Sequence, residues 1–412
     1  MTKRHALWIG VAVVVTLGIV VVASPVGFNA AGRAIEALQG DTEPTPVPID
    51  GADLDATGPG SLVSAMTVPK FLAAAGNPPL HAARVVYRST NGDTGAQTEV
   101  SGTVLTPQGE PPSGGWPIIA LAHGTTGVLE QCAPSLSRDL WGLSDPVLKY
   151  VELGYAVALA DYQGLGADGV HPYMDAKTAG LNVIDSVRAL RHTFPGTSAR
   201  WLAFGGSQGG GAAWAADEQA STYAPELELV GAVANSPSAD LTGIVAEAQQ
   251  GTLSADQMQV FLNLVESVAR LHTDVDRGDF RSGPAVNYWV PLLSCNPDTV
   301  AYRNAEKARL KADDFAPHTP EAASRLREIL AKWALPQRAL SAPLSVVYGA
   351  DDTFIDAEWT TDAIARQCAL GGVVNWDLQP NKGHGDVDIT QQYVWLADRF
   401  AGKPALNECP RP

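Results

Sequence analysis

The hydrophobic positions of this chain fall into short, nearly unbroken runs separated by mixed stretches. Pro117–His123, Tyr155–Ala160, Ala199–Phe204 and Leu229–Ala234 are apolar at almost every position. That pattern belongs to strands buried on both faces of a parallel sheet. Arg84–Tyr87 and Thr98–Leu105 come earlier and read as antiparallel strands, the second partly alternating. Helical composition fills Asp145–Leu153, Thr178–His192 and Ala212–Gln219. The alternation predicts an α/β fold, a mostly parallel central sheet flanked by helices.

The rhythm stops from Asp240 to about Arg338, where the text is helical. Gln257–Leu271, for example, puts Val260, Leu264, Val268 and Leu271 on one face. Strands resume at Leu344–Tyr348 and Val373–Trp376. The body therefore divides into a core of residues 58–239 and 339–412 and a helical insertion, 240–338. An insertion between two strands of one sheet predicts a cap over the ligand-binding edge. A separate helical domain is the other arrangement.

The N-terminus changes the setting. Lys3-Arg4-His5 precedes an uncharged run from Ala6 to Ala23, long for a signal peptide and just long enough for a membrane span. Residues 1–23 are read as a signal peptide or an N-terminal membrane anchor, with the body outside in either case. Residues 24–57 form a linker whose Gly40–Pro48 stretch is too proline-rich for a helix or central strand. In an exported body, Cys132, Cys295, Cys368 and Cys409 suggest two disulfides, with three pairings open. A net charge of −16 disfavours nucleic acid as a partner. Neither Cys-x-x-Cys nor His-Glu-x-x-His spacing occurs, so no metal is expected.

One apolar run ends in a corner that carries chemistry. Leu202-Ala-Phe-Gly-Gly-Ser207-Gln-Gly-Gly210 passes from strand into Gly-x-Ser-x-Gly. In a nucleophile elbow the serine sits on a strained strand-to-helix turn, with its hydroxyl above the sheet edge. Such a serine needs a base, and an acid to orient the base, both following it in the chain. Two loops supply them: Gly349-Ala-Asp351-Asp352-Thr-Phe-Ile355 and Asn381-Lys-Gly-His384-Gly-Asp386. Asp352 is the expected acid, with Asp351 as the alternative. His384 is the expected base. His5 lies in the N-terminal segment, His81, His123, His171 and His192 precede the serine, and His272 and His318 precede the acid. An oxyanion hole needs two backbone N–H donors. Gln208 is one candidate, and Thr125, in His123-Gly-Thr-Thr-Gly127, is the other.

With these motifs the chain resembles the secretory lipases of the α/β-hydrolase superfamily, the lipase A type of fungi and actinobacteria. The likeness rests on Gly58-Pro-Gly-Ser-Leu62, Tyr87-Arg-Ser-Thr90, Val100-Ser-Gly-Thr-Val104 and Gln131-Cys-Ala-Pro-Ser135. It continues in Asp161-Tyr-Gln-Gly-Leu-Gly166, His171-Pro-Tyr173 and Gly205–Gly209, and spans nearly everything from about residue 58 onward. The resemblance implies an α/β-hydrolase fold with a helical lid and a triad on Ser207, Asp352 and His384. It also implies the pairings Cys132–Cys295 and Cys368–Cys409, and hydrolysis of acylglycerols or simpler carboxylic esters through an acyl-enzyme, with no cofactor. His123 departs from the residue common in the family at its place.

The implied partner is a lipid or small ester, leaving open contact with a membrane or lipid interface and the oligomeric state. The same triad also serves an acyltransferase or a serine peptidase, and a non-catalytic envelope-binding protein would keep only the fold. In the insertion, Phe261, Leu264, Tyr288, Trp289 and Leu292 either line an acyl tunnel or pack the lid onto the core.

Overall fold

Nine segments pair into one sheet in the computed structural model, which describes residues 45–410. The expected targeting segment, 1–23, and the linker up to residue 44 lie outside the described residues. In chain order the strands are β1 (Leu62–Thr67), β2 (Leu80–Thr90), β3 (Gln97–Pro107), β4 (Trp116–Ala122) and β5 (Ala156–Ala160). Then come β6 (Thr197–Gly206), β7 (Glu228–Asn235), β8 (Leu344–Gly349) and β9 (Val374–Gln379). Across the sheet they run β1-β2-β3-β5-β4-β6-β7-β8-β9. The pairings are antiparallel as far as β5 and parallel from β5 to β9.

Helices α1 (Pro69–Ala74), α2 (Ser144–Glu152), α3 (Ala176–Thr193) and α4 (Gln208–Tyr223) lie between the earlier strands. The central strands are apolar throughout because helices cover both faces. In β4, Ile118, Ala120 and Ala122 turn to the layer of α3 and α4, while Ile119 and Leu121 turn to that of α2. β6 alternates in the same way, Trp201 and Ala203 against Leu202 and Phe204. Period-two geometry thus sorts an unpatterned run into two cores. After β8 comes α10 (Ala357–Ala369), and after β9 comes α11 (Thr390–Phe400), whose Leu396 joins the α2 layer.

Between β7 and β8 run α5 (Gly243–Gln250), α6 (Ala255–Leu271), α7 (Gly283–Leu292), α8 (Val300–Lys307) and α9 (Pro320–Trp333). A capping box starts α6: Ser254 Oγ accepts from Gln257 N–H while the Gln257 side chain accepts from Ser254 N–H. Phe261, Leu264, Trp289 and Leu292 are buried in this segment's own cluster with Phe315 and Trp333, and Tyr288 is partly buried against it. Val128, Tyr173 and Ile355, from loops after β4, β5 and β8, belong to the same cluster. The helical segment therefore packs on the carboxyl edge of the parallel strands.

Where the chain returns toward β8, two buried carboxylates of α4 receive it. Asp217 accepts the N–H groups of Ser341 and Ala342, each at 2.8 Å, and Glu218 accepts that of Gln337 at 3.1 Å. Burial pushes Asp217 up to about 8 and Glu218 up to about 7.

The end of the expected linker is already part of the body. Thr67 N–H donates to Val47 O (2.8 Å), Ile49 N–H to Ala65 O (2.9 Å) and Asp53 N–H to His192 O (2.8 Å). Pro46 and Pro48 suit this place because a residue without an N–H is readily accommodated at a sheet edge.

Cys132 bonds to Cys295, joining the loop after β4 to the helical segment, and Cys368 to Cys409, joining α10 to the C-terminal tail. Each bond restricts the unfolded chain. Replacing Cys368 and Cys409 together by Ala is expected to lower the unfolding free energy by about 2–4 kcal/mol in urea titrations. A loss below about 0.5 kcal/mol would show that the tail is held by its other contacts alone.

Candidate active site

The site is built on a backbone crossing without spare room. Ser207 has φ 58° and ψ −124°, a conformation non-glycine residues seldom adopt. A Cβ on Gly205 would lie 2.1 Å from Gly209 O, and one on Gly209 would lie 2.0 Å from Ala122 O. The ends of β4 and β6 and the start of α4 therefore meet at van der Waals limits. Gly206 faces a looser space, its nearest neighbour at 3.8 Å. Ser207 N–H donates to Asn235 O on β7 (2.9 Å), and Ser207 O accepts from Ser238 N–H (3.1 Å) and Gly211 N–H (3.2 Å). These bonds fix the side chain at the N-terminus of α4, whose dipole favours negative charge.

The loops after β8 and β9 bring two more groups to it. His384 Nε2 lies 2.8 Å from Ser207 Oγ, and His384 Nδ1 lies 2.7 Å from Asp352 Oδ2. The Asp352 side chain is 2% exposed and that of His384 15%. The other Asp352 oxygen accepts the N–H groups of Phe354 (2.8 Å) and Ile355 (3.0 Å), so the carboxylate cannot rotate away. With Nδ1–H donating to Asp352, Nε2 accepts from the serine hydroxyl. Ser236 Oγ donates to His384 O (2.9 Å), and the Phe354 ring lies 4.7 Å from the imidazole. Asp351 plays a different part: it is exposed, and its N–H donates to Lys382 O (2.8 Å), tying the two loops together.

The loop after β4 passes on the other side. A Cβ on Gly124 would stand 3.6 Å from that of Ser207. Among the described residues, no hydrogen bond occupies the N–H of Thr125 or of Gln208. Both candidate oxyanion donors are thus without an acceptor among the described residues. Thr125 Oγ1 lies 2.8 Å from the hydroxyl of Tyr173. His123, buried, sets its ring nitrogens 2.6 Å from Gly124 O and 3.2 Å from Asp161 O and braces the loop from beneath.

The sequence reading gave no role to a buried polar layer below these groups. The Asp161 carboxylate accepts from Ser101 Oγ (2.5 Å) and Ser135 N–H (2.9 Å). His171 Nδ1 donates to Gln163 O (2.9 Å), so its Nε2 accepts from Gln208 Nε2 at 2.9 Å. Ser267 of α6 donates to His171 O (2.5 Å) and accepts from Tyr173 N–H (2.9 Å). Burial drives the His171 ring down to about 3 against the opposing effect of its bond to Gln163 O, and the bond accepted from Gln208 leaves Nε2 without a proton. The sequence signal is the Asp161–Tyr173 motif, whose spacing does not disclose the partners Ser101, Gln208 and Ser267.

Comparison with known proteins places the chain among lipases and esterases. The secretory lipase family is matched over residues 145–408. The chain is 28% identical over 344 residues to Lipase 6 of Candida albicans (strain SC5314 / ATCC MYA-2876), covering 74% of this chain and 70% of that one. It is 26% identical over 357 residues to a probable inactive lipase of Mycobacterium tuberculosis (strain CDC 1551 / Oshkosh), covering 80% and 76%. Candida antarctica lipase A in its closed state superposes with a TM-score of 0.69 at 18% identity, over 90% of this chain and 88% of that one. The fold is that of the α/β-hydrolases.

Two outcomes test the crowding and the buried histidine. Gly209→Ala is expected to cost about 3 kcal/mol or more in chemical denaturation, since its Cβ would meet backbone. Gly206→Ala should lie within about 1 kcal/mol of the parent, and similar losses from both would refute the crowding argument. His171 has its ordinary value of 6.5 when unfolded and about 3 when folded, so the unfolded chain binds the extra proton between them. Its contribution is complete above pH 6.5 and is lost as the pH falls toward 3. The thermal midpoint should therefore fall more steeply on acidification in the parent than in His171→Asn. Parallel curves would count against a neutral ring.

Proposed function

The chain belongs to the secretory lipase family and is a serine ester hydrolase, and we propose that Ser207, His384 and Asp352 carry its chemistry. The observation behind this reading is the unbroken relay from Ser207 Oγ through the imidazole to Asp352, at 2.8 and 2.7 Å. Completeness matters in this family, because one similar protein is named a probable inactive lipase.

Ser207 Oγ attacks the ester carbonyl while His384 Nε2 takes its proton. The backbone N–H groups of Gln208 and Thr125 donate to the oxyanion, in a place where the α4 dipole already favours negative charge. His384 returns the proton to the leaving alcohol, and the acyl group remains on Ser207. Water, deprotonated by the same imidazole, then releases the acid. Asp352 keeps the tautomer and orientation of the ring throughout. The substrates in this proposal are acylglycerols or related lipid esters, and the helical segment 240–338 serves as the lid over them. Two disulfides and the secretory family support an exported enzyme.

Hydrolysis of a p-nitrophenyl ester series, short to long acyl, by the protein and its Ser207→Ala variant tests the reading. The substitution is expected to lower kcat/KM by about 10⁴-fold or more, and a fluorophosphonate probe should label the parent alone. Activity that survives the substitution would place the chemistry elsewhere. Faster cleavage of peptide amides than of glyceride emulsions would make the protein a peptidase instead.

A further inference from the structure

A recess of about 240 Å³ opens beside the loop after β4, between that loop and the helical segment. Thr125 and Thr126 line it from the loop, Asn263 from α6, and Arg303, Asn304 and Lys307 from α8. No aspartate or glutamate is in the lining. In a chain of net charge −16, two cations facing a recess without a carboxylate are out of keeping with the rest.

The cations are not both used within the protein. Lys307 Nζ reaches Asp256, outside the lining, at 3.3 Å. Arg303 makes no hydrogen bond or ion pair among the described residues, and its Nε is shut off from water without an acceptor. Thr126 Oγ1 is likewise buried and unpartnered. Native proteins leave few buried donors unmatched. A guanidinium fork beside an ammonium and a hydroxyl matches the two oxygens of a carboxylate.

The recess is also close to the chemistry. Gly124 lies against Ser207, and Thr126 is two residues farther on, a reach of at most about 7 Å. A group seated there is within a few methylenes of an ester carbonyl at the serine.

We propose that Arg303, with Lys307 and Thr126, binds a carboxylate carried by the ester, so that the enzyme prefers substrates with an acidic end. This rests on the hydrolase reading above and narrows its substrate class. Arg303 donates two N–H bonds to the carboxylate oxygens while Lys307 neutralises the remaining charge, and the ester end lies at Ser207.

The full chain is assayed on mono-4-nitrophenyl adipate against its methyl ester, which has the same chain without the charge. A second pair, 4-(butyryloxy)butanoate against its methyl ester, places the charge on the alcohol side. The parent is expected to favour the charged member of one pair by about tenfold in kcat/KM. Arg303→Gln should bring that ratio to about one, and Arg303→Lys should restore part of it. Both rates come from one preparation, so the ratio is independent of the fraction folded. No preference in either pair, or a preference unchanged in Arg303→Gln, overturns the proposal. Free adipate that inhibits through Arg303 while both pairs are cleaved without preference also overturns it, since the recess would then hold a free anion. Ser207→Ala separates the two readings. Hydrolysis that survives it removes the hydrolase assignment, whereas a Ser207-dependent rate without charge preference removes only this one.

Discussion

The structure depends on a steric exclusion at one point, where Ala122, Gly205 and Gly209 meet with no volume for a side chain. Because β4, β6 and α4 converge there, Ser207 is forced to a positive φ and its hydroxyl is turned out of the sheet. Such a conformation costs on the order of 1–3 kcal/mol and persists only when its surroundings over-determine it. Here they do, through backbone bonds from Ser207 to β7 and to the segment that follows it. The same crowding sets the distance to the loop after β4, so the serine, the helix dipole and both free N–H groups share one frame.

Around that frame the loops are joined by hydrogen bonds as well as by apolar contact. The Tyr173 hydroxyl meets Thr125 on one side and Asn263 of α6 on the other. Ser267 of α6 clasps the backbone at His171 and Tyr173, and His171 holds the Gln208 side chain. Displacing α6 would therefore break polar bonds at the same loops that line the serine. Apolar packing alone sets no such register, because it is non-directional.

Much of this was legible from residue order. The unbroken apolar runs mark β4 to β8, since burial on both faces leaves no polar alternation to obscure them. Ser207, Asp352 and His384 come together from the elbow and two post-strand loops, and Asp352 rather than Asp351 meets the imidazole. Other parts were silent. In β1 only Leu62, Ala65 and partly covered neighbours turn inward, too few to show a period. The start of α4 is hidden by Gly209-Gly-Gly211, residues of poor helical propensity that close approach requires. The layer of Asp161, His171 and Gln208 joins residues far apart in the chain, and nothing local reports such a network.

The order of the parts along the chain has a consequence for synthesis. The elbow is complete once β7 is in place, but Asp352 and His384 ride on the loops after β8 and β9, beyond the whole helical segment. Domains begin to form from the N-terminus during synthesis. A growing or truncated chain accordingly presents Ser207 without the imidazole that meets its hydroxyl. On the proposed mechanism, hydrolytic power arrives only with the final strands, and the ester hydrolase stays inert while its own chain is still being made.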